Sequence, residues 1–522
     1  MSTAAAAIAA SCEMPVRRAV PYVQRPDNVI PGVPNYYAST YVNGGDVISV
    51  VVKQRDGRPI KIEGNELSSI TQGATTAQAQ ASVLDLYDNT RLRYPQQKEG
   101  GKEFKEVPSF DKFDKLVGDA INGKSVVLLT STINSPSTLQ IISEFLAKYP
   151  GSRHVQYDAV SYSGMLLANE ACYGKKAIPS YHFDNAKVIV SLGADFLGTW
   201  LSPAEFSKQY SKNRKISGEK PEISKHIQFE GTLSVTGSNA DERYTHKPSQ
   251  TGAVALALLA KLGGAVAAPS ISDKALEAGI DKAAAALKAA AGEALVVSGS
   301  NDANVQVVVN AINEIIGANG KTINWATTSN YRNGSDADMN KLVEDMNTGA
   351  VGAVFIYGVN PVYSYSDGKK FAAGLAKTVS VSFNATMDET TELCSYSIPS
   401  HHWLESWGDA EPKTGYYSFI QPTINPLFKT RAFQTSLLKW AGSTTPDYET
   451  YFKDFWSKKL GSTEAWNAAL QAGIIEPADT AGASAGARGR AASRPADSPR
   501  REAARGGPCR PRRRRGSSAR GL

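Results

Sequence analysis

The stretch KVIVSLGAD, residues 187–195, decides the fold class, because a short run of apolar and β-branched residues passes directly into a turn of small and polar residues. Such a run predicts a buried strand. Similar runs occupy residues 125–130, 294–298, 351–357 and 379–383, and helix-compatible segments separate them. Buried strands that alternate with helices indicate parallel sheets covered on both faces. The sequence therefore predicts an α/β protein with several lobes.

The turns that follow two of these strands are candidate ligand-binding loops. Gly193 and Asp195 follow one strand, and Gly358 and Asn360 follow another. Open α/β sheets bind ligands in crevices outside the carboxyl ends of their strands. We therefore expect a crevice beside these four residues. The sequence has no P-loop, no glycine-rich dinucleotide fingerprint, no nucleophile elbow and no HExxH motif that would identify the ligand.

A second candidate site surrounds two adjacent histidines, His401 and His402. Glu405 follows His402 by three residues, so a helix would place these two side chains on one face. The pair either belongs to a redox or proton-handling site or is a hydrogen-bonded pair that supports a loop. We favour the loop-supporting pair, because adjacent histidines cannot both face one metal and no third ligand lies nearby in the sequence.

Three further segments have distinct local patterns. Residues 46–64 predict a hairpin, because β-branched runs flank the turn dipeptide Asp56-Gly57. The proline-rich residues 13–40 predict an irregular, extended lead-in. Residues 434–472 are helical in pattern and rich in aromatic residues. An aromatic stripe of this kind usually belongs to a core, so we assign it no cofactor.

The positive charge of the chain is concentrated at its end. The net charge is +7, but residues 477–522 hold 12 of the 57 basic residues, all of them Arg, and only three of the 50 acidic residues. The rest of the chain therefore carries a net charge of −2, and we predict no nucleic-acid partner. We expect the tail not to fold. It is either the product of a shifted reading frame or a disordered basic arm for nucleic acid or anionic lipid.

The four cysteines, Cys12, Cys172, Cys394 and Cys509, are widely spaced and show no metal-binding pattern. We expect Cys172 and Cys394 to be small buried hydrophobic residues. Cys12 follows a run of small and apolar residues, which fits a lipoprotein cleavage site; the alternative is an ordinary flexible N-terminus. The most apolar segment, residues 252–268, is too short to span a bilayer. Membrane attachment would therefore come from lipid on Cys12 or from partner subunits.

Four segments in the same order resemble the large subunits of molybdopterin oxidoreductases. They are residues 50–95, 191–203, 356–367 and 398–412, and the resemblance extends over residues 30–442. It implies domains 1–3 of the fold that formate dehydrogenase and DMSO reductase share. It also implies that a vestigial pterin-nucleotide pocket lies beside Gly193, Asp195, Gly358, Asn360, His402 and Glu405.

The departures from that family concern its cofactors. Members with an iron–sulfur cluster in the first domain bind it through four Cys, whereas residues 31–95 of this chain contain none. Thr76 occupies the position that resembles the fourth ligand, and a hydroxyl cannot replace a thiolate as a ligand of iron. Cys172 is the one candidate thiol for molybdenum. We therefore expect no metal, no first-domain cluster and no molybdopterin in this chain.

One branch of the family matches these departures. Residues 21–40 and 401–431 resemble the iron–sulfur-protein subunit of alternative complex III, a quinol:cytochrome c oxidoreductase. The resemblance implies a non-catalytic scaffold subunit in respiratory electron transfer. Its place would be the periplasmic face of the inner membrane, beside cytochrome c subunits and quinol-oxidising membrane subunits. The iron–sulfur clusters of that family belong to a ferredoxin-like half that this chain does not resemble.

The alternative function is that of an active molybdopterin-dependent oxidoreductase that reduces a sulfur compound or an oxyanion. Under either function the resemblance and the composition predict the same six segments along the chain. These are a truncated signal segment (1–12), a degenerate cluster-domain-like unit (13–123), a first α/β lobe (124–293), a second α/β lobe with a return segment (294–442), a helical extension (443–476) and the Arg-rich tail (477–522).

Overall fold

The computed structural model describes residue 30 and residues 32–100, 103–216 and 221–477. The predicted signal segment with Cys12, and residues 478–522 of the tail with Cys509, lie outside the described residues. Among the described residues, no helix is both long and apolar enough to cross a membrane. The apolar segment at residues 252–268 begins with the helix Thr251–Leu262, which is largely buried.

The first elements of the described chain form a three-stranded antiparallel sheet. Its strands are Asn35–Asn43, Asp46–Arg55 and Arg58–Gly64. The predicted hairpin is confirmed, and Asp56 and Gly57 both have positive φ, as its two-residue turn requires. The strand Asn35–Asn43 corrects the prediction of an irregular lead-in up to residue 40. Its alternating residues follow the last proline of the lead-in, and it pairs along its whole length with Asp46–Arg55.

A seven-stranded sheet forms the larger lobe, and the five consecutive strands at one end of it, from Tyr396–Ser397 to Arg153–Gln156, are parallel. Alternate residues of Val126–Thr130 enter two different cores: Val126 and Leu128 face one side, whereas Val127 and Leu129 face the other. Helices cover both sides, which confirms the predicted α/β fold. In sheet order the strands are Glu103–Glu106, Gln96–Glu99, Tyr396–Ser397, Val379–Ser382, Ala353–Tyr357, Val126–Thr130 and Arg153–Gln156. The helices of this lobe are Phe110–Ile121, Pro136–Lys148, Asp336–Thr348, Pro361–Ser364, Gly368–Leu375, Glu389–Leu393 and Phe433–Ala441.

A four-stranded parallel sheet forms the smaller lobe. In sheet order its strands are Glu242–Thr245, Lys225–Glu230, Val188–Leu192 and Ala294–Ser298. The helices are Ser163–Tyr173, Pro203–Arg214, Val235–Ser238, Thr251–Leu262, Lys274–Ala289 and Ala303–Ile315, with short 3-10 helices at Phe183–Asn185 and Pro248–Gln250. All five residues of Val188–Leu192 are buried, as the apolar run predicts.

A five-stranded antiparallel sheet connects the lobes to the end of the described chain. In sheet order its strands are Ile474–Ile475, Tyr416–Ile420, Gly408–Lys413, Ile323–Ser329 and Ile178–Tyr181. The 3-10 helix Trp403–Glu405 precedes the strand Gly408–Lys413. The helix Ala77–Asp85 follows the N-terminal sheet. The helices Tyr448–Leu460 and Thr463–Ala472 lead into its last strand.

The strand pairings do not follow the predicted boundary between residues 293 and 294. Val126–Thr130 and Ala353–Tyr357 come from different predicted lobes but are neighbours in one sheet. Val188–Leu192 and Ala294–Ser298, which the boundary also separates, are neighbours in the other. The chain thus leaves the larger lobe, builds the smaller one and returns. Strand periodicity gives no information on which distant strand becomes the neighbour, so the sequence placed the boundary incorrectly.

The predicted helical extension at residues 443–476 is part of the core. Trp456 and Phe452 are fully buried in the cluster that also covers one face of the seven-stranded sheet. The indole Nε1 of Trp456 donates to Oδ2 of the buried Asp409 at 2.7 Å. The prediction that these aromatic residues belong to a core is confirmed.

Asp409 is buried without a cation beside it. Its carboxylate accepts hydrogen bonds from the hydroxyl of Ser135, from the backbone N–H and hydroxyl of Ser137, and from Trp456. Burial raises the pKa of Asp409, and these hydrogen bonds only partly oppose the rise. These hydrogen bonds to Asp409 link the strand Gly408–Lys413 to the helices Pro136–Lys148 and Tyr448–Leu460.

We predict that Asp409→Asn is tolerated and makes the protein less sensitive to pH. The Asn oxygen can accept from Trp456 and from the backbone N–H of Ser137, and its NH₂ can donate to the two serine hydroxyls, which can rotate. Because the pKa of the folded Asp409 is raised, the wild type loses stability as pH rises from the unfolded value of about 4 through the folded one. Urea unfolding from pH 4 to pH 8 should show the variant gaining stability relative to wild type.

Asp409→Ala is the matched comparison for that substitution. It removes every hydrogen bond to the carboxylate and should cost about 2–4 kcal/mol at pH 4, a cost that falls as pH rises because Ala, like Asn, does not titrate. A pH-independent loss of stability in Asp409→Asn would contradict the raised pKa.

A second prediction concerns the end of the described chain. Ile474 and Ile475 pair with Ser418 and Tyr417, and Oε1 of Glu476 accepts from the backbone N–H of Ser69 at 2.9 Å. A chain that ends at Pro477 keeps these contacts and should melt at the wild-type temperature. A chain that ends at Ala472 should lose about 1–3 kcal/mol. Calorimetry of both truncations checks this, and a large fall for the longer one would contradict it.

Candidate functional site

The seven-stranded sheet has the topological arrangement that favours a ligand crevice. Val126–Thr130 and Ala353–Tyr357 are adjacent, and the chain leaves them for strands on opposite sides. Ser131 and Gly358 begin the two diverging loops. Gly358 has a φ of 69°, and a Cβ there would lie 3.0 Å from Oγ of Ser131. The Gly358 N–H donates to Oδ1 of Asn384 at 2.9 Å. The glycine thus allows the two loops to approach closely.

A cavity of about 320 Å³ lies at this switch point. It brings together two of the six predicted residues, Gly358 and His402, whereas Gly193, Asp195, Asn360 and Glu405 do not line it. Two buried polar atoms of lining residues, Oδ1 of Asn134 and Nε1 of Trp403, have no hydrogen-bond partner among the described residues. Ser135, His401, Asp409 and Tyr448 also line the cavity.

The matching position in the four-stranded sheet is closed. Gly193 and Gly299 follow the adjacent strands Val188–Leu192 and Ala294–Ser298, and a Cβ on Gly299 would lie 2.3 Å from the carbonyl oxygen of Gly193. The carboxylate of Asp195 accepts from the backbone N–H and the hydroxyl of Thr236, at 3.0 and 2.7 Å. Backbone contact therefore fills the space where the two loops would have to separate to admit a ligand.

Asn360 also has a local role. Its Oδ1 accepts from the hydroxyl of Thr390 at 2.7 Å, and its Nδ2 donates to the carboxylate of Glu389 at 2.6 Å. These contacts connect the loop after Ala353–Tyr357 to the helix Glu389–Leu393. The polar groups of Asn360 are thus occupied by protein partners.

Glu405 is bound by Arg91, a residue that the sequence analysis did not single out. The side chains of Arg91 and Glu405 are 4% and 0% exposed, and Nη1 and Nη2 of Arg91 lie 3.2 and 2.8 Å from the two carboxylate oxygens. The backbone N–H groups of His402 and Leu427 also donate to Glu405, at 2.9 and 3.0 Å. Burial raises the pKa of Glu405, but the hydrogen bonds from Arg91 and from the backbone hold it below its usual value.

His402 interacts with Glu405 through its backbone and not through its ring. The ring Nδ1 of His402 accepts from the backbone N–H of Leu404 at 3.3 Å and caps the 3-10 helix Trp403–Glu405. Burial, followed by the nearby charge of Arg91, lowers the pKa of His402 to about 4. Burial likewise lowers the pKa of His401, whose Nδ1 lies 2.6 Å from the hydroxyl of Thr430. Both rings are therefore neutral at physiological pH.

The loops at the carboxyl ends of both parallel sheets are bound to one another. Asp158 accepts from the backbone N–H and hydroxyl of Thr132, at 3.0 and 2.6 Å, and from the backbone N–H of Gly334 at 3.0 Å. Asp336 accepts from the hydroxyl of Ser161 at 2.8 Å and from Nδ2 of Asn301 at 3.1 Å. Thr132 follows a strand of the larger lobe and Asn301 a strand of the smaller one. No local sequence pattern predicts these contacts, because the partners are far apart along the chain.

The residues present do not fit an iron–sulfur cluster or a metal. The hydroxyl of Thr76 accepts from the backbone N–H of Ala79 at 3.2 Å and caps the helix Ala77–Asp85. No group of three or more potential metal-binding side chains occurs in the described part of the chain. Cys394 is buried, and its burial raises the pKa of the thiol to about 12. The prediction that Cys172 is buried is wrong, because its side chain is exposed at the end of Ser163–Tyr173.

The cavity at the switch point does not fit a pterin nucleotide either. Pockets for small molecules have volumes of about 300–1,000 Å³, and a pterin joined through phosphates to a nucleotide is a large ligand. The cavity has about 320 Å³, and the matching position in the other sheet is closed by Gly193 and Gly299. Among the described residues, no positively charged side chain lines the cavity to bind a phosphate.

Comparison with known proteins gives one relative in sequence and a neighbour in structure. No protein-family model matches the chain. The chain is 24% identical over 449 residues to the menaquinone reductase, molybdopterin-binding-like subunit of Nitratidesulfovibrio vulgaris. The match covers 76% of this chain and 63% of that protein, so the chain spans less than two thirds of the length of its relative.

The structure is similar to that of acetylene hydratase from Pelobacter acetylenicus. The TM-score is 0.59 with 13% sequence identity, over 78% of this chain and 70% of the other. At this identity the similarity concerns the fold. Together the two comparisons support the superfamily of molybdopterin oxidoreductases, and the chain has the α/β fold of that superfamily.

Proposed function

We propose that this chain is a non-catalytic scaffold subunit of a membrane-associated quinone oxidoreductase in a respiratory chain. The name of its relative, a molybdopterin-binding-like subunit of a menaquinone reductase, supports a role in quinone chemistry. The finer assignment is to a complex of the alternative complex III type. Its partners would be cytochrome c subunits and quinol-oxidising membrane subunits on the periplasmic side, with attachment through those partners or through lipid on Cys12.

The observation that carries the proposal is the closure of the strand-end region. Asp158 and Asp336 bind loops of both lobes in the region where an α/β sheet ordinarily holds its ligand. A carboxylate that bridges loops in this way fixes the relative positions of the loops. The carboxylates of Asp158 and Asp336 are therefore used to hold the protein together.

The side chains at the remaining cavity support the same conclusion. His401 and His402 are held neutral by burial, and Glu405 is occupied by Arg91 and two backbone N–H groups. The carboxylate of Asp409 has four donors from the protein. Neither carboxylate is available to transfer a proton or to ligate a metal without breaking contacts that the fold uses.

The first test is elemental and pterin analysis of the purified full chain. We expect no stoichiometric Mo, W or Fe, and no fluorescent pterin after oxidative release, because the cavity is too small and the ligand positions lack thiolates. A molybdoenzyme purified and assayed in parallel serves as the positive control. Stoichiometric molybdenum or tungsten together with released pterin would overturn the scaffold role and favour an active molybdopterin-dependent oxidoreductase.

The second test asks whether Glu405 and Arg91 stabilise the fold, as the scaffold role requires. Arg91→Met leaves a buried carboxylate without its cation and should lower the free energy of unfolding by about 3–5 kcal/mol. Adding Glu405→Gln removes the stranded charge and should recover much of that loss. Denaturant unfolding of both variants measures the effect.

The control for this pair is Lys105→Met, which breaks the exposed ion pair with Glu99. It should change the free energy of unfolding by less than about 1 kcal/mol. If Arg91→Met unfolds like wild type, the buried pair does not stabilise the fold and a functional role for Glu405 regains support.

A further inference from the structure

A larger cavity, of about 660 Å³, lies apart from the strand-end region. Its wall includes Ser180 from the strand Ile178–Tyr181, Glu205 from the helix Pro203–Arg214 and Lys413 from the strand Gly408–Lys413. None of the six residues predicted to border a cofactor lines it. The cavity is thus independent of the switch-point crevice and of the function proposed above.

A buried ion pair at the wall of this cavity has unused donors. Nζ of Lys413 lies 2.5 Å from Oε1 of Glu205, and the two side chains are 8% and 1% exposed. The carboxylate of Glu205 is completed by Gln209 and by the hydroxyl of Tyr331, both at 2.9 Å. An ammonium has three N–H donors, and within the described residues Glu205 is the one acceptor for that of Lys413. Two N–H groups of a buried cation are left without a protein acceptor.

A buried hydroxyl of the same wall is also unpaired. Ser180 is 2% exposed, and its Oγ has no hydrogen-bond partner among the described residues. Buried hydroxyls nearly always have a partner, because an unpaired one keeps the full cost of its desolvation. The unpaired groups of Ser180 and Lys413 line one cavity, so one bound molecule or a group of waters can satisfy both.

The third unpaired group of the cavity is an acceptor. Oδ2 of Asp184 lies 3.1 Å from Nζ of Lys212, whereas its Oδ1 has no hydrogen-bond partner in the described structure. His182 lies nearby, with its Nδ1 4.0 Å from Oδ1 of Asp184. Burial, and then the charge of Lys413, lower the pKa of His182, so its ring is neutral and does not compensate the carboxylate.

We propose that this cavity binds a small organic acid that carries a hydroxyl or ammonium group. Its carboxylate accepts hydrogen bonds from Lys413 and Ser180, and its hydroxyl or ammonium group donates to Asp184. The cavity volume lies within the range of pockets that hold small molecules. Leu67 and Ile70 line it as well, and they would contact the carbon chain of such an acid.

Calorimetric titration of the full chain with three acids of one length tests the proposal. Glutarate lacks the donor, whereas 2-hydroxyglutarate and glutamate carry it. We expect at least one of the two donor-bearing acids to bind more tightly than glutarate, and Asp184→Ala to abolish that difference. Ser180→Ala should weaken the binding of all three by about tenfold or more, as expected for a hydrogen bond to a charged group.

Ser397→Ala is the matched control, because Ser397 is also a buried serine with an unpaired hydroxyl but lies outside this cavity. It should leave binding unchanged. If Ser180→Ala does not fold, Lys413→Met combined with Glu205→Gln removes the donors without stranding a buried charge. Absence of binding of all three acids up to about 10 mM, or equal losses in Ser180→Ala and Ser397→Ala, would show that the cavity holds water alone.

Discussion

The structure depends on the pairing of buried charges between segments that are distant in sequence. The carboxylate of Glu405 has no exposed surface, and it is accommodated because Arg91 and two backbone N–H groups donate to it. Breaking such a pair strands a charge in a medium of low polarity, which costs several kcal/mol. The pairs Lys413–Glu205 and Arg431–Asp114 follow the same principle in other parts of the molecule. Each pair requires its two segments to stay in one relative position, and Lys413–Glu205 in particular connects the antiparallel sheet to a helix of the smaller lobe.

These fixed positions limit ligand binding at the carboxyl ends of the parallel strands. A ligand crevice needs loops that separate and polar groups that point into the gap. In this chain Asp158 and Asp336 turn those groups towards neighbouring loops, and Gly299 contacts Gly193 directly. The same topology that favours a crevice therefore produces a rigid junction between two lobes. A rigid junction suits a subunit whose role is to hold partners in place.

The sequence predicted the elements well where the signal is local. The apolar runs at residues 125–130 and 187–192 became buried strands, and Asp56-Gly57 became the hairpin turn. The predicted domain boundary at residue 294 was wrong, because periodicity identifies a strand but not the strand that pairs with it. Arg91 was missed for the same reason, since its partner lies 314 residues away. Glu405 was noticed for its spacing from His402, yet the contact between them runs through the backbone of His402, which no spacing rule describes.

Residues at positions that resemble cofactor-binding positions of other proteins contribute to the fold in this chain. At the position that resembles a cluster ligand, Thr76 forms a helix cap, for which its hydroxyl suits better than a thiol. The histidines beside the small cavity cap a 3-10 helix and contact Thr430. These contacts give each of the three residues a protein partner. The larger cavity differs, because among the described residues the hydroxyl of Ser180 has no partner there and the ammonium of Lys413 has Glu205 as its one acceptor. A buried cation with unused donors beside an unpaired hydroxyl is the physical reason to search for a ligand at that cavity.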